Sequence, residues 1–144
     1  LAKESLIGTF EDTRDVAEAV APRNDNFGLL VDLSHFPFFD IDMESAITMV
    51  EDYLTDFHIG TCVLEEGHPS YGDQQPRFGI EHSENDTQDV ADFFEILLDK
   101  GLLNTQDRPM VSVEVAPQMA EDRSEVVVAN AKRVWKRAWA MATE

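Results

Sequence analysis

The sequence has very little cysteine and contains no long apolar run. Its one cysteine, Cys62, excludes an internal disulfide framework and mildly favours a reducing compartment. No apolar stretch approaches the ~20 residues that a membrane-spanning helix needs, and no signal peptide stands at the beginning of the sequence as given. From these absences we expect a cytoplasmic protein without a membrane partner.

Basic residues are also scarce. The chain has 11 Lys and Arg against 29 Asp and Glu, a formal net charge of −18, and its lysines are Lys3, Lys100, Lys132 and Lys136. A surface this acidic repels phosphate groups, so we expect no nucleic-acid partner. A salt-adapted source and an ordinary acidic cytoplasmic enzyme both fit this composition. The 144 residues are enough for one domain with a hydrophobic core.

Hydrophobic periodicity predicts alternating helices and strands. Helices are predicted at about 5–20, 43–53, 87–100 and 124–142, and strands at 27–31, 55–59 and 110–115. Gly101 is expected to end the third helix. An irregular segment at about 62–86 separates the second strand from the third helix, and loops of that length are usually functional. The pattern predicts an α/β fold with about three parallel strands and flanking helices.

Each predicted strand closes on a side chain that can bind a metal ion. Asp32 follows the first strand, His58 lies near the end of the second, and Glu114 lies in the third. Because the carboxyl ends of parallel strands point to the same side of a sheet, we expect these three side chains to converge. Two carboxylates and an imidazole suit one divalent ion, namely Mg²⁺, Mn²⁺, Co²⁺ or Zn²⁺. The sequence therefore predicts a metal site at this edge.

The same residues also have structural interpretations. Asp32 could cap the start of a helix, and His58 could be a hydrogen-bonded core histidine. Glu114 is harder to explain in this way, because an unpaired carboxylate in an apolar strand is costly. Other conspicuous side chains are interpreted as loop structure, packing or core: His68, Asp73, His82, Cys62, Trp135 and Trp139. The acidic run at 81–92 is interpreted as a solvated face.

Several segments resemble the last three strands of the xylose-isomerase-like TIM barrels, the family of sugar isomerases and epimerases. The similar segments are Gly28-Leu-Leu-Val-Asp-Leu-Ser-His35, Phe57-His-Ile-Gly60, Val113-Glu-Val115 and the long loop Gly67 to Gly79. The order and spacing of these motifs extend over nearly the whole chain. The resemblance implies that residues 1–144 form the C-terminal portion of a (β/α)₈ TIM barrel domain whose N-terminal strands are absent.

The resemblance also implies roles for particular residues. In the family, a divalent ion is held by Glu, Asp, His and Glu side chains from successive strands. Asp32, His58 and Glu114 match the last three of these ligands, while the first glutamate has no counterpart in this sequence. His35 matches a histidine that contacts substrate, and Arg77 resembles an arginine that contacts substrate oxygens.

The implied activity is that of a divalent-metal-dependent sugar isomerase or epimerase. Such enzymes act by proton transfer through a metal-stabilised enediolate, with Glu114 as one catalytic base and the missing glutamate as the other. A small-molecule sugar or sugar-like substrate and a homo-oligomer are implied, and we expect no turnover from these residues alone. Two alternatives remain open. The net charge disfavours an endonuclease IV-type hydrolase, and the three retained ligands disfavour a non-catalytic barrel fragment that serves as a binding module.

Overall fold

The computed structural model describes residues 7–119 and 122–144, which contain a three-stranded parallel sheet with flanking helices. The strands lie in the order β1-β2-β3 and are β1 (Leu29–Asp32), β2 (Leu54–Ile59) and β3 (Met110–Val113). The helices are α1 (Phe10–Val20), α2 (Met43–Val50), α3 (Thr87–Asp99) and α4 (Ser124–Thr143). The predicted α/β class and its parallel strands are confirmed.

Two of the predicted boundaries are wrong, namely the start of the first helix and the end of the third strand. The first helix begins at Phe10, later than predicted, because Thr9 forms a capping box with Asp12. In that box the Thr9 hydroxyl accepts from the Asp12 N–H at 3.1 Å. The third strand ends at Val113, two residues earlier than predicted. The next residue, Glu114, still pairs with β2, because its N–H donates to the Ile59 carbonyl at 3.0 Å. Predicted helical positions 5 and 6 lie outside the described residues.

The hydrophobic core lies on the helix-bearing face of the sheet. Val31, Phe57 and Ile59 project from this face of their strands and are buried against the helices. The ring of Phe93 from α3 meets Phe57 edge-on, with centroids 6.3 Å apart. Buried partners from α2, α3 and α4 complete this core: Ala46, Ile47, Val50, Val90, Phe94, Leu97, Val134 and Ala138.

The opposite face of the sheet is open at its amino-terminal end. Leu30, Asp56 and Met110 are in register across the three strands, so their side chains share this face. Leu30 is 49% exposed and Met110 is 65% exposed. One face of this parallel sheet is therefore packed, and the other leaves large apolar side chains in solvent.

The long segment after β2 is ordered by pairing within itself and by Asn85. Val63 forms antiparallel bridges with Gly72 and with Ser83. The buried Asn85 amide donates to the carbonyls of Leu33 and Gly60, each at 3.1 Å. Because those carbonyls follow β1 and β2, Asn85 joins the carboxyl ends of the two strands.

Cys62 is fully buried at the start of this segment, which confirms that it packs in the interior. Burial, reinforced by the carboxylates of Glu84, Asp73 and Asp32, raises the pKa of the Cys62 thiol to about 12. Because only the thiolate reacts, we expect iodoacetamide at pH 8 to modify the native protein at least roughly 100-fold more slowly than the urea-unfolded protein. Mass spectrometry of timed samples measures both rates, and equal rates would contradict the burial.

Candidate metal centre

Asp32, His58 and Glu114 lie together at the carboxyl ends of the three strands. The Nδ1 atom of His58 is 2.7 Å from Glu114 Oε2 and 3.6 Å from Asp32 Oδ2. One potential ligand atom from each residue lies within 4.8 Å of the other two. The convergence expected from the strand ends is therefore observed, while the binding of a metal ion stays a prediction.

The strand register explains why these side chains meet. Asp32 pairs with His58, and His58 pairs with Ser112, so the three share one face of the sheet. Glu114 is two residues beyond Ser112, and the two-residue period of a strand returns its side chain to that same face. The site thus belongs to the face of the sheet opposite the helix-packed core.

The two carboxylate oxygens of Asp32 have different surroundings. Its Oδ1 atom accepts from the Ser34 N–H at 2.8 Å and from the Ser34 hydroxyl at 2.7 Å. These contacts cap a 3₁₀ turn, Leu33–Phe38, so the capping interpretation of Asp32 is correct for this oxygen. The other oxygen, Oδ2, faces His58. The two interpretations of Asp32 are therefore compatible.

One separation within the donor set matches the spacing of ligands around a divalent ion. Ligand bonds of about 2.0–2.2 Å place neighbouring donor atoms roughly 3 to 4 Å apart, and the distance from His58 Nδ1 to Asp32 Oδ2 falls in that range. The shorter contact to Glu114 is a hydrogen bond that a shared ion would replace. Side-chain exposure rises from 3% at Asp32 to 27% at His58 and 48% at Glu114. The site is thus anchored in the protein at Asp32 and open to solvent at Glu114.

His35 lies beside this cluster. Together with Asp32, it lines an open cleft of about 190 Å³. Its Nε2 atom is 3.3 Å from Oδ1 of Asp73, a residue of the long loop. The loop interpretation of His68 is confirmed, because its Nδ1 accepts from the Ser70 N–H at 3.0 Å. The substrate contact implied for His35 stays a prediction.

Arg77 forms its ion pair with a residue outside the cluster of Asp32, His58 and Glu114. Its Nε donates to Asp122 Oδ1 at 2.9 Å, and the Asp122 side chain is only 1% exposed. Within the described residues, no hydrogen bond or ion pair joins Arg77 to Asp32, His58 or Glu114. The substrate contact implied for Arg77 stays a prediction, and its observed contact is structural.

The environment of Asp122 predicts a pH-dependent contribution to stability. Burial works against ionisation, but the N–H groups of Met119 and Gln118 and the Arg77 guanidinium outweigh it and hold the pKa of Asp122 below its usual range. A lowered native pKa stabilises the fold above the unfolded value of about 3.9, and this stabilisation is lost as the pH falls through the native value.

We therefore expect Asp122→Asn to lower the free energy of unfolding at pH 7 by about 1 to 3 kcal/mol. The difference from the wild type should begin to shrink below about pH 4, where Asp122 of the unfolded chain takes up a proton, and it should be lost as the pH falls through the lower native pKa. Urea denaturation of both proteins at pH 7 and at a series of acidic pH values measures this. A difference that stays constant with pH would show that the charge of Asp122 is unimportant.

Sequence reasoning missed Gln75. This residue is 8% exposed, and its amide Nε2 lies 3.1 Å from Asp73 Oδ1 and 3.4 Å from Asp32 Oδ2. The sequence feature that could have pointed to Gln75 is Gly60, directly after β2, since a glycine in such a position often marks the close approach of another group. A Cβ at Gly60 would lie 2.6 Å from Gln75 Oε1 and 2.9 Å from the Glu114 carbonyl oxygen.

Comparison with known proteins does not assign this chain to a family. A search of protein-family models finds no match to the sequence, and a search of curated proteins finds none either. The likeness to the xylose-isomerase-like barrels therefore rests on the sequence segments described above. Separately, none of the helices in the described ranges combines the length and hydropathy needed to cross a bilayer.

Proposed function

We propose that this chain is part of a divalent-metal-dependent sugar isomerase or epimerase. The observation that supports this most is the meeting of Asp32, His58 and Glu114 at the carboxyl ends of three adjacent parallel strands. Barrel enzymes place their catalytic side chains at this end of the strands. The likeness of the surrounding segments to the xylose-isomerase-like family supplies the substrate class, a sugar or sugar-like compound.

The proposal includes a barrel architecture. The strands of parallel sheets are normally buried on both faces, yet Leu30 and Met110 are exposed on the face that carries the site. In a (β/α)₈ barrel that face is the interior, where further strands would bury these side chains. The three strands described here would then be the last three of the barrel.

The cluster and the neighbouring His35 have defined roles in the proposed chemistry. Asp32, His58 and Glu114 would hold the ion, which when bound supplies Lewis-acid polarisation of a substrate carbonyl. Glu114, the most exposed of the three, would accept a proton from the carbon next to that carbonyl and return it. Binding of the ion would replace the 2.7 Å contact between His58 Nδ1 and Glu114 Oε2. His35, oriented by Asp73, would contact a substrate hydroxyl.

The metal content of the purified full-length protein tests the site directly. Elemental analysis should find about one Mn²⁺, Co²⁺, Zn²⁺ or Mg²⁺ per chain. This ion should be lost in a variant that carries both Asp32→Ala and Glu114→Ala. A control with Asp92→Ala and Glu95→Ala, two exposed positions on α3, changes charge equally and should retain the ion.

Absence of metal from the wild type, even after incubation with each ion, would remove the proposed mechanism. If the ion is present, exchange of tritium from solvent into candidate ketoses tests the isomerase chemistry. A metal-loaded protein that instead cleaves DNA at abasic sites would favour the endonuclease alternative, against which the net charge of −18 argues.

A further inference from the structure

We propose that Gln75 is a positioning residue of this site. Its amide aligns the carboxylate of Asp32 and joins it to the pair formed by His35 and Asp73. This inference rests on the proposed function, because it takes Asp32 as a ligand of the ion. It adds a residue that neither the strand-end pattern nor the family resemblance assigns.

The contacts of Gln75 fix the orientation of its amide. The Nε2 group has two hydrogens, and its two neighbours are carboxylate oxygens, Asp73 Oδ1 at 3.1 Å and Asp32 Oδ2 at 3.4 Å. A rotated amide would put Oε1 against both carboxylates, where each pair of oxygens would repel. The amide N–H groups therefore face the site.

Gln75 restricts the one oxygen of Asp32 that is available for a ligand. Ser34 donates two hydrogen bonds to Asp32 Oδ1, and these occupy both lone pairs of that oxygen. The remaining oxygen, Oδ2, has Gln75 Nε2 on one side and His58 Nδ1, 3.6 Å away, on another. A carboxylate oxygen has two lone pairs, so an N–H group on one of them leaves the other for an ion.

Gln75 is held in place at an energetic cost. Its backbone has φ of +54°, a left-handed conformation that is unfavourable for residues other than glycine. Its buried Oε1 has no hydrogen-bond partner within the described residues. The Gln75 carbonyl accepts from the Ala116 N–H at 2.8 Å, which fastens the loop beside Glu114. Strain and unpaired polar atoms of this kind are concentrated at functional sites.

The result is a continuous chain of polar contacts across the site. It passes from His35 to Asp73, from Asp73 to Gln75, and from Gln75 to Asp32. The group implied for substrate contact is thereby connected to a ligand of the ion. Removing partners of this kind from metal ligands typically weakens metal affinity or activity by about 10- to 100-fold.

Cobalt binding by the full-length protein tests this role without an activity assay. Gln75→Met keeps the length of the side chain and removes the amide, and Gln74→Met makes the same change at an exposed neighbour. We expect Gln75→Met to weaken Co²⁺ binding by roughly 10-fold. We also expect it to alter the visible absorption of the saturated Co²⁺ site, since Asp32 would bind differently. Gln74→Met should match the wild type in both measurements.

The outcomes separate this inference from the proposed function. Failure of the wild type to bind Co²⁺ would overturn the metal site itself. Normal wild-type binding with an unchanged affinity or spectrum in Gln75→Met would overturn the role of Gln75 alone. A lowered melting temperature of the metal-free variant with normal Co²⁺ binding would show a purely structural role. If Gln75→Met does not fold, Gln75→Asn replaces it, because its shorter amide cannot span both carboxylates. The same loss of Co²⁺ affinity and the same change in visible absorption are then expected of Gln75→Asn.

Discussion

Replacing Glu114 by glutamine is expected to lower turnover by the proposed isomerase by about 10²- to 10⁴-fold, the range that general acid–base groups contribute. The amide has nearly the shape of the carboxylate, but it cannot take a proton from carbon. Glu114 lies just beyond β3 with its side chain half exposed, so the change should have little effect on the core. We therefore expect catalysis to be lost while the fold remains.

This expectation is tested by measuring kcat for a ketose substrate and the melting temperature of the same Glu114→Gln preparation. Glu95→Gln, at an exposed site on α3, removes the same charge far from the strand ends and should retain full activity. If Glu114→Gln kept more than a tenth of the wild-type kcat at saturating metal, Glu114 would not be the base.

Phe93→Ala is expected to cause the largest loss of stability, about 3 to 5 kcal/mol of unfolding free energy. Phe93 is fully buried on α3, and its ring meets Phe36 at a centroid distance of 6.1 Å and Phe57 at 6.3 Å. Its truncation would open a cavity beneath the strand that carries His58. A protein of ordinary stability would then be only marginally folded.

Urea denaturation followed by circular dichroism measures this loss. Val126→Ala, at a 48% exposed position of α4, is the control and should change the free energy of unfolding by less than about 0.5 kcal/mol. Phe93→Leu should lie between the control and Phe93→Ala, because it leaves a smaller cavity. A loss below about 1 kcal/mol for Phe93→Ala would indicate that the site collapses around the missing ring.

The arrangement of elements could be predicted because the strands are short apolar runs and the helices have a clear period. Val31 lies in a short apolar run and Phe57 alternates with the polar Asp56 and His58, and both patterns predict strands. The boundaries were less accurate, since they depend on single contacts. The capping box of Thr9 sets the start of α1, and the end of β3 depends on its pairing with β2.

The candidate site could be predicted only where sheet geometry determines it. Parallel strands bring their ends together, so Asp32, His58 and Glu114 followed from strand positions alone. Gln75 did not, because its left-handed backbone and its two carboxylate neighbours arise from the folding of a long loop. The pairing of Arg77 with Asp122 was missed for a similar reason, as it joins the loop to the segment before α4.

The separation of the site residues along the chain has a consequence for the time course of folding. His58 and Glu114 are 56 positions apart, and Asn85 reaches back 52 positions to the Leu33 carbonyl. Contacts this distant form slowly, since much chain entropy is lost before they are made. During synthesis, the cluster cannot be complete until Glu114 has left the ribosome. The cluster of Asp32, His58 and Glu114 is therefore assembled late in the biogenesis of the chain, only after the loop and all three strands are in place.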